Sequence, residues 1–337
     1  IFVLKIKKQQ VKQNLFSKLM GEKKGGSYQT SYPGILEQMT PLCPMKKIDP
    51  ESNAYILFTS GTTSQPKGVQ ITHSNLFSHL KTLSKKFGYS NHSRILNILS
   101  LSHADGIIQG PVIAFANGAS IYRPVEFSVS NIEALLDAVY FYRITHFVTV
   151  PTMLALIYKL GLTFRESFVT EDFRFIISTG GYLETDLWLK FEKDFYTRIT
   201  NVYGLTETVI GGLFSGPDDI THKPGTIGKP VDCDVKIIKQ NCENALIGET
   251  GELLIKGKNV MKGYWEATEI TQNILKQGWL YTGDLVKQDK EGFFYIVGRK
   301  KSVIISGGIN IHPEEITEVL KTLSGVLEAV TVGAKDD

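Results

Sequence analysis

The chain has 337 residues, 42% of them hydrophobic and 21% charged, with a formal net charge of +3. That length exceeds the roughly 250–300 residues at which a single core stops growing, so two or more domains are expected, and the composition excludes a disordered or fibrous chain. So mild a charge gives no argument for nucleic acid, although Lys5, Lys7, Lys8 and Lys12 make the first stretch locally basic.

Cys43, Cys233 and Cys242 are odd in number and lack metal-ligand spacing, so neither a disulfide framework nor a zinc site is expected, and a reducing, cytoplasmic compartment fits. The longest apolar stretch, Ile107 to Ile121, is interrupted by Gln109, Gly110, Pro111, Asn117 and Gly118. No transmembrane helix is expected from it. The chain opens at Ile1 with neither an initiator methionine nor a signal-peptide layout, which suggests a fragment or processed piece.

Residues 1–50 carry few periodic signals, and Gly25 to Pro33 reads as loop. A short apolar strand from Tyr55 then leads into Thr59, Ser60, Thr62, Thr63 and Ser64 around Gly61, with Lys67 close behind. Hydroxyls, backbone N–H groups and one ammonium together complement a polyphosphate. The spacing is not that of a Walker loop: Pro66 stands where the second glycine belongs and Gly68 where the magnesium-binding hydroxyl belongs. Proline has no N–H to offer a phosphate, so this is a different phosphate loop or a polar turn.

Strand-length apolar runs then alternate with helical patterns. Ser93 to Leu101 and Ala119 to Arg123 read as strands on either side of an apolar helix-like segment ending at Asn117. Ser130 and Glu133 form a capping box ahead of Ile132, Leu135, Leu136 and Val139, which share one helix face. His146 to Val150, Phe173 to Ser178 and Arg198 to Tyr203 are further strands, with a turn at Gly180 and Gly181 and a helix through Leu187 to Phe195. This repetition predicts an α/β fold with a doubly wound, mainly parallel sheet. After Gly225 the texture changes to short strands separated by turns, "DVKIIK", "GELLIKG" and "GFFYIVG". Beyond Arg299 come "SVIISGG", a helix opening near Pro313 and a strand in "VLEAVTVG".

Open parallel sheets bind ligands beyond the C-terminal ends of their strands. Three polar segments are expected there: the loop after Phe58, the turn at Thr179 to Tyr182, and "NVYGLTET", Asn201 to Thr208. In the third, Glu207 beside Thr206 is suited to Mg²⁺ completed by phosphate oxygens, or is simply a solvated strand-end carboxylate. Asp284 in "WLYTGDL" follows a Thr-Gly turn, where it would accept ribose hydroxyls or bond its own backbone. Arg299 in "VGRKK" is a fixed cation for a nucleotide or part of a surface cluster. His103 in "LSLSHADGI" lines a pocket or is a core histidine bonded to a carbonyl.

In order, TSGTT-x-x-PKG, GG-x-L, N-x-YG-x-TE, TGD and GR-x-K followed by "IISGGINIHPEEI" resemble the adenylate-forming superfamily of acyl- and aryl-CoA synthetases, peptide-synthetase adenylation domains and luciferases. The resemblance runs from about Tyr55 to the C-terminus and is nearest to the CoA ligases. It implies an enzyme that uses ATP and Mg²⁺ to turn a small-molecule carboxylic acid into an acyl adenylate and pyrophosphate. The acyl group then passes to a thiol, that of coenzyme A or of a carrier-protein phosphopantetheine on an acyl carrier protein.

By matching position, Thr59, Ser60, Gly61, Thr62, Thr63 and Lys67 would bind pyrophosphate, and Gly180, Gly181, Tyr182, Asn201, Tyr203 and Gly204 would frame the adenine. Thr206 would contact the α-phosphate, Glu207 would ligate Mg²⁺, Asp284 would take the ribose hydroxyls and Arg299 would steady the nucleotide. His103, with Gly106 and Gly204, would line the acyl pocket, and Lys301 would be the hinge. Amino-acid-activating members place an aspartate in the His103 segment; here Asp105 lies two positions later in a pattern of the acyl and aryl type, which disfavours an amino-acid substrate.

The resemblance divides the chain into an incomplete N-terminal segment (1–50), an α/β ATP-binding core (51–224), a β-rich subdomain (225–299), and the hinge with the beginning of a small α+β C-terminal domain (300–337). Two departures stand out. Ser64 replaces a glycine usual in the phosphate loop, which stiffens it. The family's terminal catalytic lysine has no counterpart, since Lys335 lies outside the matching segment.

Overall fold

The computed structural model describes residues 47–59, 66–300, 304–306, 309–311, 313–321, 323, 326 and 329–333. Nearly all belong to one compact unit, Pro50–Asp337, and the fold is that of this unit. Ser60, Gly61, Thr62, Thr63 and Lys301 lie outside the described residues.

Strand β1 (Asn53–Thr59) turns back antiparallel as β2 (Lys67–Thr72), with Thr59 opposite Lys67. The loop after Phe58 therefore joins two strands of a small antiparallel sheet and does not leave the parallel sheet, as the sequence pattern suggested. The cause is that Lys67–Thr72 itself alternates, burying Val69 and Ile71 completely, so it pairs as a strand before any helix begins. The helix His73–Phe87 follows, opened by a reciprocal cap: Thr72 Oγ1 accepts from Asn75 N–H at 3.1 Å and Asn75 Oδ1 from Thr72 N–H at 2.9 Å.

Strands β3 (Arg94–Asn97), β4 (Ser120–Tyr122), β5 (His146–Thr149), β6 (Phe175–Ser178) and β7 (Ile199–Tyr203) run parallel in the spatial order β4-β3-β5-β6-β7. Antiparallel β8 (Leu213–Ser215) and β9 (Lys229–Pro230) extend the same sheet. Successive residues serve opposite faces: Ile95, Val148 and Ile177 pack with Leu80, Leu83 and Phe87, whereas Leu96, Phe147 and Ile176 pack with Leu135, Trp188 and Phe191. Both faces are covered, which is why these strands read as mainly apolar runs without alternation. The fold is the expected doubly wound, mainly parallel α/β arrangement.

The helix Ile132–Phe141 exists, but the Ser130/Glu133 box does not cap it. A 3₁₀ turn, Val129–Asn131, precedes it, so Ser130 lies inside a helical turn with its hydroxyl 2.9 Å from Ser128 Oγ.

Beyond Gly225 come β10 (Asp234–Ile238), β11 (Gly251–Lys256), β12 (Gly263–Tyr264), β13 (Leu275–Lys276), β14 (Trp279–Gln288) and β15 (Phe294–Arg299). All but β12 form an antiparallel sheet in the order β10-β11-β14-β13, with β15 also on β14. Strand β12 returns to pair with β2. The hairpin β16 (Ile304–Ser306) and β17 (Ile309–Ile311) and the helix Pro313–Lys321 follow. The expected strand in "VLEAVTVG" is not found: none of its described residues is in a strand. Among the described residues no helix is long and apolar enough to cross a membrane.

Candidate active site

A cleft of ≈ 570 Å³ opens at the C-terminal ends of β6 and β7. Five parts of the fold wall it. Thr59 and Lys67 come from the β1–β2 hairpin, Gly180, Gly181 and Tyr182 from the turn after β6, and Asn201, Tyr203, Gly204, Thr206 and Glu207 from β7 and its exit. Asp284 and Arg299 come from β14 and β15, and His103 and Asp105 close the remaining side. Gly106, expected in the acyl pocket, does not line the cleft. It is buried against its own chain, where a Cβ would come 1.9 Å from the Ser100 carbonyl oxygen.

Glu207 stands on a short 3₁₀ turn, Thr206–Thr208, directly after β7. Thr208 fastens the turn: its Oγ1 accepts from Leu205 N–H at 2.9 Å and donates to Leu205 O at 3.1 Å. The next two residues, Val209 and Ile210, are β-branched yet hold φ of 56° and 87°, a conformation rare for such side chains and typical of functional turns. Their burial pins it. The chain thereby folds back onto Gly204, where a Cβ would lie 2.3 Å from Ile210 O.

Tyr264 on β12 donates its hydroxyl to Glu207 Oε1 at 2.7 Å, and Lys67 Nζ lies 5.4 Å from the centre of the same ring. Burial first, and then the Glu207 charge, push the Tyr264 phenol well up, so it stays a donor. Sequence reasoning missed Tyr264. Among the described residues no group of three or more His, Cys, Asp or Glu could hold a metal. A cation at Glu207 would therefore need ligand oxygens from phosphate, which is how Mg²⁺ is commonly held.

Asp284 is not in a free turn. It lies within the ten-residue β14, where the ladder to β11 slips between Glu252 and Leu254, so that Thr282, Gly283 and Asp284 stand against Leu253 alone and Gly283 takes φ 75°. The bulge turns the carboxylate inward, 3% exposed. Tyr203 donates to its Oδ2 at 2.6 Å and Arg299 Nε to its Oδ1 at 2.8 Å. Burial pushes the Asp284 carboxyl up, opposed by the Tyr203 hydroxyl and the Arg299 charge. A carboxylate so held keeps further lone pairs for hydroxyl donors. Asn201 plays a supporting part: its amide donates to Thr226 O at 3.0 Å and fixes the loop on the cleft's edge.

His103 is not a core histidine. Its side chain is 66% exposed in the cleft, with Nδ1 3.4 Å from Asp105 Oδ2, and the hydrogen bond to Asp105 raises its pKa.

Residues 4–265 match the family described as AMP-binding enzyme. The chain is 33% identical over 307 residues to a sulfoacetate–CoA ligase of Cupriavidus necator, covering 91% of this chain and 59% of the relative. It is 31% identical over 311 residues to an indoleacetate–CoA ligase of Aromatoleum aromaticum, with the same coverages, 91% and 59%. Among solved structures, it superposes on the O-succinylbenzoate coenzyme A synthetase of Bacillus subtilis in complex with ATP and magnesium ion. The TM-score is 0.75 at 32% identity, over 86% of this chain and 58% of that one. The chain thus spans less than two thirds of the length of these relatives.

Proposed function

Because the chain belongs to the AMP-binding enzyme family, we propose that it activates a carboxylic acid with ATP as an acyl adenylate and passes the acyl group to the thiol of coenzyme A. The observation that carries this is the meeting in one cleft of Lys67, Thr206, Glu207 and the Tyr203–Asp284–Arg299 set, delivered from separate sheets.

The acid's carboxylate oxygen attacks the α-phosphorus, a P–O bond forms and pyrophosphate leaves. The thiol then attacks the adenylate carbonyl, and AMP leaves. No side-chain nucleophile takes part, so catalysis is positioning and charge neutralisation. Lys67 neutralises the departing phosphates, the Thr206 hydroxyl donates to the α-phosphate, and Asp284 accepts the ribose hydroxyls while Arg299 steadies it. Glu207, oriented by Tyr264, would hold Mg²⁺, whose charge offsets that of the phosphates when bound. His103 and Gly204 face the acid.

The names of the relatives range from sulfoacetate to indoleacetate, so they favour no single acid. Cys233 and Cys242 are free, which suits a reducing, cytoplasmic setting. Acid-dependent pyrophosphate–ATP exchange, run with a panel of acids, tests the reading. Exchange is expected with at least one of them; ATP binding without exchange for any acid would leave a nucleotide binder and refute the enzyme.

A further inference from the structure

The turn that carries Glu207 is strained at its centre, since Val209 and Ile210 hold a positive φ that such side chains keep only where the surrounding structure over-determines it. Both ends of the strained stretch are anchored by one other segment of the chain. Met261 N–H donates to Glu207 O at 2.8 Å, and the buried side chain of Asn259 donates through Nδ2 to Gly211 O at 2.7 Å. The same segment runs on into β12, whose Tyr264 aims the Glu207 carboxylate.

Asn75 holds that segment from the other side. Its Nδ2 donates to two alternate carbonyls, Lys258 O at 2.9 Å and Val260 O at 2.8 Å, while its Oδ1 closes the helix cap at Thr72. Each of the two amides has one workable orientation, because turning either over would set its oxygen against carbonyl oxygens. Asn259 Oδ1 is buried and makes no hydrogen bond, so that side chain is committed to Gly211.

We propose that Asn75 and Asn259 are positioning residues: in series, through residues 258–261, they fix the 207–211 turn to the start of the helix His73–Phe87 and so set the Glu207 carboxylate for a phosphate-bound metal ion. The inference rests on the adenylating reading above and deepens it. Neither side chain lines the cleft, so both act through Glu207 and not by contact with nucleotide or acid. The helix is a sound anchor because β2 enters it directly from Lys67. The brace therefore keeps the cation of the hairpin and the carboxylate of the turn in one frame.

Two variants break the two links. Asn75→Asp keeps an acceptor for Thr72 N–H, and so the helix cap, but sets a carboxylate oxygen against the Lys258 and Val260 carbonyls. Asn259→Ala removes the donor to Gly211 O. Tyr158→Phe is the structural control: it deletes a hydrogen bond of similar length, 2.7 Å to Asp194 Oδ2, beside the core on the opposite face of the sheet. Three properties are read: kcat and KM for ATP in pyrophosphate exchange, thermal unfolding, and the electron paramagnetic resonance spectrum of Mn²⁺ bound with a non-hydrolysable ATP analogue. Glu207→Gln supplies the spectrum that lacks the carboxylate ligand.

Both variants should lower kcat by ~10-fold or more, short of the ~10²-fold that a misplacement of about 1 Å can cost, while KM for ATP moves by less than about threefold. Their Mn²⁺ spectra should move toward that of Glu207→Gln. The double variant should lose little more than the worse single one, because links in series are not additive. Tyr158→Phe should lower Tm and leave kcat and the spectrum unchanged.

Should one variant fail to fold, the other reads the same turn. Parent-like spectra and kcat in the variants, whatever their Tm, would overturn the assignment, as would additive losses in the double variant or a single spectrum shared by the parent and Glu207→Gln. Shifted variant spectra in a protein that shows no exchange with any acid would defeat the adenylation reading and leave the two residues in their role. Exchange in the parent with unshifted variant spectra would do the reverse.

Discussion

Tyr203, the last residue of β7, donates its hydroxyl to the buried carboxylate of Asp284 on β14 at 2.6 Å, so one hydrogen bond ties the parallel sheet to the antiparallel one at the lip of the cleft. The bond both satisfies a desolvated carboxylate and aims it. Burial first, then the Asp284 charge, hold the Tyr203 phenol far above its ordinary value, so it stays protonated.

If Asp284 takes the ribose, Asp284→Ala raises the KM for ATP by roughly 10-fold or more, through lost bonds of about 1.5–3 kcal/mol each to a charged acceptor. Discrimination against 2′-deoxy-ATP shrinks with it. Tyr203→Phe keeps the carboxylate but loosens it, and a smaller rise is expected. Steady-state kinetics with both nucleotides checks this; an Asp284→Ala variant that prefers ATP as strongly as the parent would show that the ribose lies elsewhere.

Glu207→Gln preserves shape and the Tyr264 contact but removes the charge. Adenylation should fall by at least ~10²-fold, the scale for losing a group that neutralises transition-state charge. ATP affinity should change far less, since the hairpin and the ribose contacts remain. Near-normal pyrophosphate exchange in this variant would remove Glu207 from the metal site.

Acid should destabilise the fold through two buried histidines. His146 lies against Phe87 O at 3.1 Å and Thr145 Oγ1 at 2.8 Å, and burial pulls its pKa down to about 4; burial does the same to His79, to about 4. Their folded values lie below the unfolded value of about 6.5, so the unfolded chain binds more protons between these limits. Their stabilising effect is complete above about pH 6.5 and is lost as pH falls toward about 4. Urea unfolding across this range reads the slope. His79→Leu should flatten it, because Nε2 makes no hydrogen bond that the substitution could break. An unchanged slope would mean that His79 is not held neutral.

The parallel strands were legible because both of their faces are buried, so the segments are mostly apolar without alternation, as in Phe175, Ile176 and Ile177, with few polar interruptions such as Thr200 and Asn201 in Ile199–Tyr203. The cleft residues were legible through their order along the chain, since each motif ends a strand or interrupts one. What failed was local punctuation standing for a tertiary event. The Thr-Gly before Asp284 reads as a turn but is a bulge against β11, because pairing with β11 on either side of it and with β15 from Asp284 onward keeps the strand going. Tyr264 carries no signal of its own; its role arises only when β12 returns to β2 and brings it to Glu207, 57 residues away in sequence. Asp105 was noticed for its type, but the Thr179 and Gln109 bonds that define its environment depend on the packing of the segment against β6.

Gly204 separates two reasons for a glycine beside a ligand. A methyl group there would stand 2.3 Å from Ile210 O and 2.4 Å from Gly211 N, both backbone atoms of the turn that carries Thr206 and Glu207. Neither can yield by a rotamer change, so Gly204→Ala must displace the turn. The expected cost is about 1–3 kcal/mol, as for other insertions into a packed region, with kcat falling beyond what lost folded protein explains because Glu207 moves with the turn. If instead the glycine only leaves room for nucleotide or acid, the variant would keep the parent's Tm and lose affinity for one of them. Thermal unfolding measured beside exchange kinetics distinguishes the two, and an unchanged Tm would refute the packing account of Gly204.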